Sequence, residues 1–258
     1  VIPEIDLPGH TLGILAAYPE HSCGGKPVRL ANRGGIYKTI LCAGKESTYG
    51  FLEELLGEVC ELFPSEYFHI GGDEAPKSEW KTCPDCQKKK EELGLAGLED
   101  LQGYFAGRVA DLLKKYGKKP VCWNDLLQTK NVPEGMRCQY WTVEYAEQTA
   151  EFARRGGEWI YSDMFEIYFD YPYSMSPLKK VYETTPHFGK KPCGKDEGPV
   201  GMEACVWTEQ ICESESLEER IFPRIYAVAE LTWSGRGKYR EFEKRLEEGR
   251  KRTIGYPL

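Results

Sequence analysis

Six short apolar runs alternate along this chain with longer stretches of helical periodicity, and that alternation limits the fold more than any other feature. The runs cover residues 1–6, 67–71, 120–123, 137–141, 159–162 and 201–207. Each has the length of a buried strand. Helices are predicted over 48–63, 85–93, 98–116, 143–155 and 217–233, with a last one near 239–251. In the first of them Phe51, Leu52, Leu55, Leu56, Val59 and Leu62 form a stripe at i, i+3, i+4, i+7 spacing. Leu101, Phe105, Val109, Leu112 and Leu113 repeat it in the third, and both stripes read as core faces. Strand and helix in alternation build βα units around a parallel sheet. The expected fold class is therefore α/β, a (β/α)8 TIM barrel with about six of its eight βα units in this chain. No Ser/Pro-rich linker and no internal repeat divides the sequence, so residues 1–258 read as one domain, N-terminally truncated because the ladder starts at Val1.

Two long loops, 8–45 and 163–200, interrupt the rhythm. Loops beyond about 15 residues in a compact domain are usually functional or mobile. The second holds Tyr168, Phe169, Tyr171, Tyr173 and Phe188, too aromatic for a disordered tether. A 41% hydrophobic and 29% charged composition rules out a disordered chain. No apolar run approaches the roughly 18 residues of a membrane span. A net charge of −7 argues against a phosphate-binding surface, so neither nucleic acid nor membrane is an expected partner. The oligomeric state is not legible.

Ten cysteines are too few for a disulfide scaffold, yet many for a cytosolic enzyme. Cys83-Pro-Asp-Cys86 is the only close pair. A zinc ribbon needs a second such pair, and Cys205 with Cys212 has the wrong spacing. Cys83 and Cys86 are therefore expected to shape a loop, reduced or as a local bridge, with no metal assigned. Cys23 and Cys42 enclose a Gly-rich segment and are the better candidates for a disulfide.

Chemistry-bearing residues recur just past the strand ends. In order they are Asp6 and His10, then Asp73 and Glu74, then Trp123 and Asp125, Trp141, then Asp163, Tyr168 and Asp170, and finally Trp207 and Glu209. In a parallel barrel the C-terminal strand ends share one face, where loops build the active site. One tryptophan there is ordinarily core; three, each beside a polar residue, suggest an aromatic floor with an acidic rim. Such a pocket suits a neutral polyol with apolar ring faces, that is, a sugar. Phe68-His-Ile-Gly-Gly-Asp73-Glu74 is the sharpest local signal, because the glycine pair frees the backbone to turn both carboxylates the same way. The plainer reading, a helix N-cap, is weighed against this and set aside. Retaining glycosidases with an enzyme nucleophile hold two carboxylates about 5–5.5 Å apart across the scissile bond. Sequence neighbours cannot easily straddle a sugar, so if one is the acid, the other steers a group on the substrate.

The segments Val1-Ile-Pro-Glu-Ile-Asp-Leu-Pro-Gly-His10, Phe68–Glu74, Tyr168-Phe-Asp170 and Glu203-Ala-Cys-Val-Trp-Thr-Glu209 together resemble the family-20 glycoside hydrolases, the β-N-acetylhexosaminidases. The resemblance implies exo-acting, retaining hydrolysis of terminal β-linked N-acetylglucosamine or N-acetylgalactosamine, assisted by the substrate and passing through an oxazolinium ion. It makes Glu74 the acid and then the base, Asp73 the residue that orients the 2-acetamido group, and Tyr168 a donor to its carbonyl oxygen. His10 is implied to sit behind the acid and tune it; Asp6, four residues earlier, is expected to orient the loop. Trp123, Trp141 and Trp207 match the aromatic walls, and Asp170 and Glu209 the residues that bind outer hydroxyls. No cofactor is implied, and the partner is a carbohydrate: an N-acetylhexosaminide glycan or a chitooligosaccharide. Family members also carry an arginine and the aspartate partner of the histidine on two strands that would precede Val1. Secretion, or a periplasmic or cell-surface place, is the expectation for the parent enzyme, although no export signal is visible in the sequence. Two rivals stand beside this reading: an inert sugar-binding piece of such an enzyme, and metal-assisted hydrolysis through Asp6, His10, Asp73 and Glu74.

Overall fold

Strands form where short apolar runs are covered on both faces, and Phe68, Val121, Cys122 and Cys138 are all almost wholly buried. The computed structural model describes residues 1–252. These fall into two compact units, one of residues 1–139 with 145–158, the other of 140–144 with 159 onward.

In the first unit, β1 (Tyr67–His69), β2 (Lys119–Trp123) and β3 (Arg137–Tyr140, whose last residue belongs to the second unit) run parallel. Phe68 lies opposite Pro120, and Cys122 opposite Cys138. The run 1–6, expected as a strand, is extended beside β1 but is paired there through a single parallel bridge, Glu4 to His69. His69 N–H donates to Pro3 O, Ile5 N–H to His69 O, and Leu7 N–H to Ile70 O. Pro3 has no N–H to extend the ladder, and Pro8 follows a cis Leu7–Pro8 bond.

The helices of this unit are α1 (Leu12–Ala17), α2 (Glu46–Leu62), α3 (Pro84–Glu92), α4 (Leu98–Lys115) and α5 (Ala146–Arg154). The long pair, α2 and α4, buries the predicted stripes: Leu52 and Leu56 on one, Leu101, Phe105, Val109 and Leu113 on the other. Each such side chain contributes about 1.5–3 kcal/mol by leaving water. Gly117, at φ 69, follows α4, and Lys118 N–H returns to Leu113 O. The helix predicted over 143–155 opens as a 3-10 turn, Val143–Tyr145, before α5. The first long loop contains α1.

In the second unit, β4 (Trp159–Tyr161) takes Ser162 N–H to Tyr140 O, and it pairs in parallel with a strand at Gly201–Met202. The second long loop contains α6 (Leu178–Glu183) and the antiparallel hairpin of β5 (His187–Phe188) and β6 (Lys191–Pro192), so Gly201–Met202 is β7. The run expected as a strand to Trp207 stops at Met202 and resumes as one parallel bridge, Tyr168 to Cys205. The helix predicted over 217–233 is two helices, α7 (Ser214–Ile221) and α8 (Arg224–Trp233). Pro223 breaks it, because proline donates no hydrogen bond and pushes Phe222 into an extended conformation, φ −96 and ψ 138. The last helix, α9 (Tyr239–Arg252), stands where it was predicted.

The cysteines depart from expectation. All ten are free thiols, so Cys23 and Cys42 are not a disulfide. Instead the two singletons come to Cys83 and Cys86 and supply the second pair that the sequence lacked.

Gly71 shows how tightly the first segment is seated. Its φ is +67, and a Cβ there would lie 1.7 Å from Asp6 Oδ1 and 2.6 Å from Asp6 Cα. Gly71→Ala should cost on the order of 2–4 kcal/mol from left-handed strain and overpacking. Thermal unfolding should register this as a Tm lowered by roughly 4–16 °C. Gly50→Ala in α2, where a Cβ meets nothing within 4 Å, should instead gain about 0.5–1 kcal/mol. Equal shifts in the two variants would contradict the seating described.

Candidate active site

Two turns face each other in the first unit. One runs from Asp6 to His10, the other from Gly71 to Glu74. Asp6 Oδ1 accepts the Gly72 N–H at 3.0 Å, which is possible because Gly71 leaves room for the carboxyl. His10 and Glu74 both adopt left-handed backbone, φ 52 and 42, a conformation that L-residues rarely hold without surrounding constraint. The outcome is a compact acid–base cluster. His10 Nε2 lies 3.3 Å from Glu74 Oε2 and 3.5 Å from Asp73 Oδ2. Asp125, buried behind the turn, accepts the Glu74 N–H at 3.2 Å, and Gln102 donates to Gly72 O at 2.7 Å.

Burial, followed by the neighbouring Asp73 carboxyl, pushes Asp6 up to about 9. Contacts with Asp73 and then Glu74 hold His10 up at about 10 against its partial burial. Near neutral pH the cluster thus holds a protonated Asp6 and a cationic His10. Asp73 Oδ1 is buried, and the Asp73 carboxyl shares a side-chain hydrogen bond with the protonated Asp6. Asp6, His10 and Asp73 also bring ligand-type atoms within 4.8 Å of one another. His10 would have to release its proton to bind a metal ion.

Trp123 is tucked into the same unit, 3% exposed, its ring tilted on His69 and its indole N–H donated to Glu4 Oε1 at 3.0 Å. A cavity of about 660 Å³ opens elsewhere in the unit, lined by Val28, Tyr37 and Glu79 among others and by none of the catalytic candidates.

The second unit gathers the other candidates. Trp141 stacks on Tyr168 with centroids 6.4 Å apart and planes at 17°, and Trp207 tilts against the same tyrosine at 6.0 Å. Asp170 is half-buried; burial raises its pKa, and its Oδ1 has no partner among the described residues. Glu209 is exposed, close enough to Asp170 for its charge to be felt there.

Sequence reasoning missed what holds this segment in place. Arg224, at the start of α8, is wholly buried and donates to the carbonyls of Phe169, Tyr171, Ser176 and Arg220. Its guanidinium lies over the rings of Phe169 and Tyr173 at 4.7 and 4.4 Å. Arg220 adds a bond to Asp170 O. The available signal was Pro223, which ends one helix and starts the next at Arg224.

Parallel βα units with carboxylates and stacked aromatic rings past the strand ends define the class, an α/β protein built as part of a glycoside hydrolase barrel. The chain belongs to glycosyl hydrolase family 20, whose catalytic domain matches residues 1–236. It is 34% identical over 259 aligned residues to a beta-hexosaminidase of Porphyromonas gingivalis, covering 96% of this chain and 33% of that one. The crystal structure of a beta-N-acetylhexosaminidase from Bacteroides fragilis superposes with a TM-score of 0.83 at 31% identity, over 97% of this chain and 52% of that chain. A mutant beta-hexosaminidase of Streptomyces plicatus, solved with its product GlcNAc, superposes at 0.76 and 30% identity over 95% of this chain and 49% of its own. The chain thus spans between a third and about half of these relatives.

The titrations of His10 and Asp6 carry a pH prediction. The folded pKa of His10 lies above its ordinary 6.5, so its stabilising contribution is complete below pH 6.5 and lost as pH rises toward about 10. Asp6, raised from 3.8 to about 9, acts with the same sign, its contribution falling as pH climbs through that window. The Tm of the native protein should therefore fall from pH 6.5 to 10, and that slope should flatten in His10→Asn and again in Asp6→Asn. Calorimetric curves that stay parallel in all three would contradict the assignment.

Proposed function

We propose that this chain is the catalytic domain of an exo-acting, retaining β-N-acetylhexosaminidase that removes terminal β-linked N-acetylglucosamine or N-acetylgalactosamine. The observation that carries the reading is the pair Asp73 and Glu74 on the turn after Gly71-Gly72, both carboxyls within 3.5 Å of His10 Nε2. Asp73 and Glu74 are sequence neighbours, an arrangement unsuited to two-carboxylate double displacement and suited to substrate assistance.

In the first step Glu74 donates its proton to the glycosidic oxygen while the 2-acetamido carbonyl oxygen attacks the anomeric carbon. The C–O bond to the leaving group breaks and an oxazolinium ion forms. Asp73 accepts the acetamido N–H and stabilises the developing positive charge. Tyr168 donates to the carbonyl oxygen and aligns it. In the second step the Glu74 carboxylate takes a proton from water, which attacks the anomeric carbon and opens the ring with net retention. His10 positions both carboxylates. Trp141 and Trp207 wall the sugar, while Asp170 and Glu209 accept hydrogen bonds from outer hydroxyls. The partnerless Asp170 Oδ1 is suited to that task.

Turnover of a chromogenic N-acetyl-β-glucosaminide tests the reading. Glu74→Gln should abolish it, whereas Asp73→Asn should lower kcat by about 10²–10³ with little change in KM. A 2-hydroxy glucoside, lacking the internal nucleophile, should be a far poorer substrate. Comparable rates on both sugars, or a glycosyl ester trapped on a carboxylate, would sink the mechanism. Sugar binding without turnover would favour the rival reading of an inert sugar-binding piece, which the partial coverage of the relatives keeps open.

A further inference from the structure

Four cysteines from three separate stretches of the first unit converge away from the carboxylates. Cys42 Sγ lies 3.5 Å from Cys86 Sγ and 3.8 Å from Cys83 Sγ, and Cys23 Sγ lies 3.8 Å from Cys86 Sγ. All four sulfurs sit within 4.8 Å of one another. These separations are far beyond a disulfide, whose sulfurs are about 2.05 Å apart. They match instead the edge of a tetrahedron, about 3.8 Å when four thiolates surround a zinc ion at about 2.3 Å. We propose that Cys23, Cys42, Cys83 and Cys86 bind one structural Zn²⁺ in a tetrathiolate site.

The surroundings are built for it. Cys42, Cys83 and Cys86 are buried and Cys23 is half-buried, with Cys23 and Cys83 at the margin of the cavity of about 660 Å³. The chain at Gly44 lies directly on the first turn of α3, where a Cβ would come 2.2 Å from the Asp85 carbonyl carbon and 2.4 Å from Cys86 N. Only glycine allows that approach, and it brings Cys42 against Cys83-Pro-Asp-Cys86. Cys83 occupies the N-cap position of α3 and Cys86 its first turn, where the helix end favours thiolate. Lys45 donates to the carbonyls of Glu20 and Ser22, placing a cation beside the cluster. Metal binding would release the thiol protons to solvent and leave a doubly anionic core that these groups offset. With all four positions filled by protein, no site is left for water or substrate, so the ion is structural and not catalytic.

Its task follows from what it ties together. Residues 24–41 form a largely exposed loop whose ends are Cys23 and Cys42. Leu41, beside Cys42, donates its N–H to Pro8 O at 3.1 Å, and its carbonyl accepts the Trp80 indole at 2.9 Å. The ion would therefore brace the turn that presents His10.

The experiment is metal analysis of the intact chain, purified under reducing conditions, loaded with Zn²⁺ and dialysed exhaustively. About one zinc per chain should remain. Chelation should lower the Tm by roughly 10 °C or more, and added Zn²⁺ should restore it. Co²⁺ in its place should give the intense visible absorption of a tetrahedral tetrathiolate. Cys42→Ser with Cys86→Ser should lose the metal, while Cys212→Ser, an exposed thiol outside the cluster, should keep it. If the double variant fails to fold, the cobalt spectrum of the native chain still decides. Substoichiometric zinc, an octahedral cobalt spectrum, zinc retained by the double variant, or a disulfide between any two of the four would each overturn the proposal.

Discussion

The Asp6 carboxyl, seated in the space that Gly71 leaves open and bonded to the Gly72 N–H, is the contact on which the candidate site depends. Burying a carboxyl is unfavourable unless it is hydrogen-bonded or neutral, and both conditions hold here. The contact draws the segment after Leu7 across the end of β1. From there the chain has little choice: His10 arrives against Asp73 and Glu74 with a left-handed backbone, and Glu74 is turned the same way. Two strained residues and two glycines with positive φ at one place are what a functional turn looks like when packing over-determines it.

The second unit solves its positioning problem differently. The carboxyl of its buried acid, Asp163, accepts the local Phe165 N–H. One guanidinium, Arg224, gathers the backbone carbonyls of the loop that carries Tyr168 and Asp170. Burial costs the charge its water, and burial is also what makes its bonds to carbonyls strong. A lysine has no planar fork with which to reach three loop carbonyls and stack between two rings.

Periodicity and strand-end chemistry were legible in the sequence because they are local. The alternation of runs placed β1 to β4 within a residue or two, and the glycine pair before Asp73 marked the turn that the structure shows. Three features were not legible. The break between α7 and α8 falls inside a segment that reads as one helix over 217–233, with Pro223 within it. Arg224 reads as a solvated helix face until the loop that folds onto it is known. The cysteine cluster was hidden because two of its members are singletons far apart in the chain, and spacing rules see only pairs. In each case the deciding contact is long-range.

In the proposed mechanism the acetamido group of the substrate acts as the nucleophile and Asp73 holds it. Calorimetric binding of a thiazoline-fused N-acetylglucosamine analogue, a stable mimic of the oxazolinium ion, tests this most directly. The account predicts that it binds on the order of 10² times more tightly than N-acetylglucosamine, as intermediate-like ligands do, and that Asp73→Asn erases the preference. Equal affinity for the two ligands in the native protein, or an undiminished preference in Asp73→Asn, would contradict it.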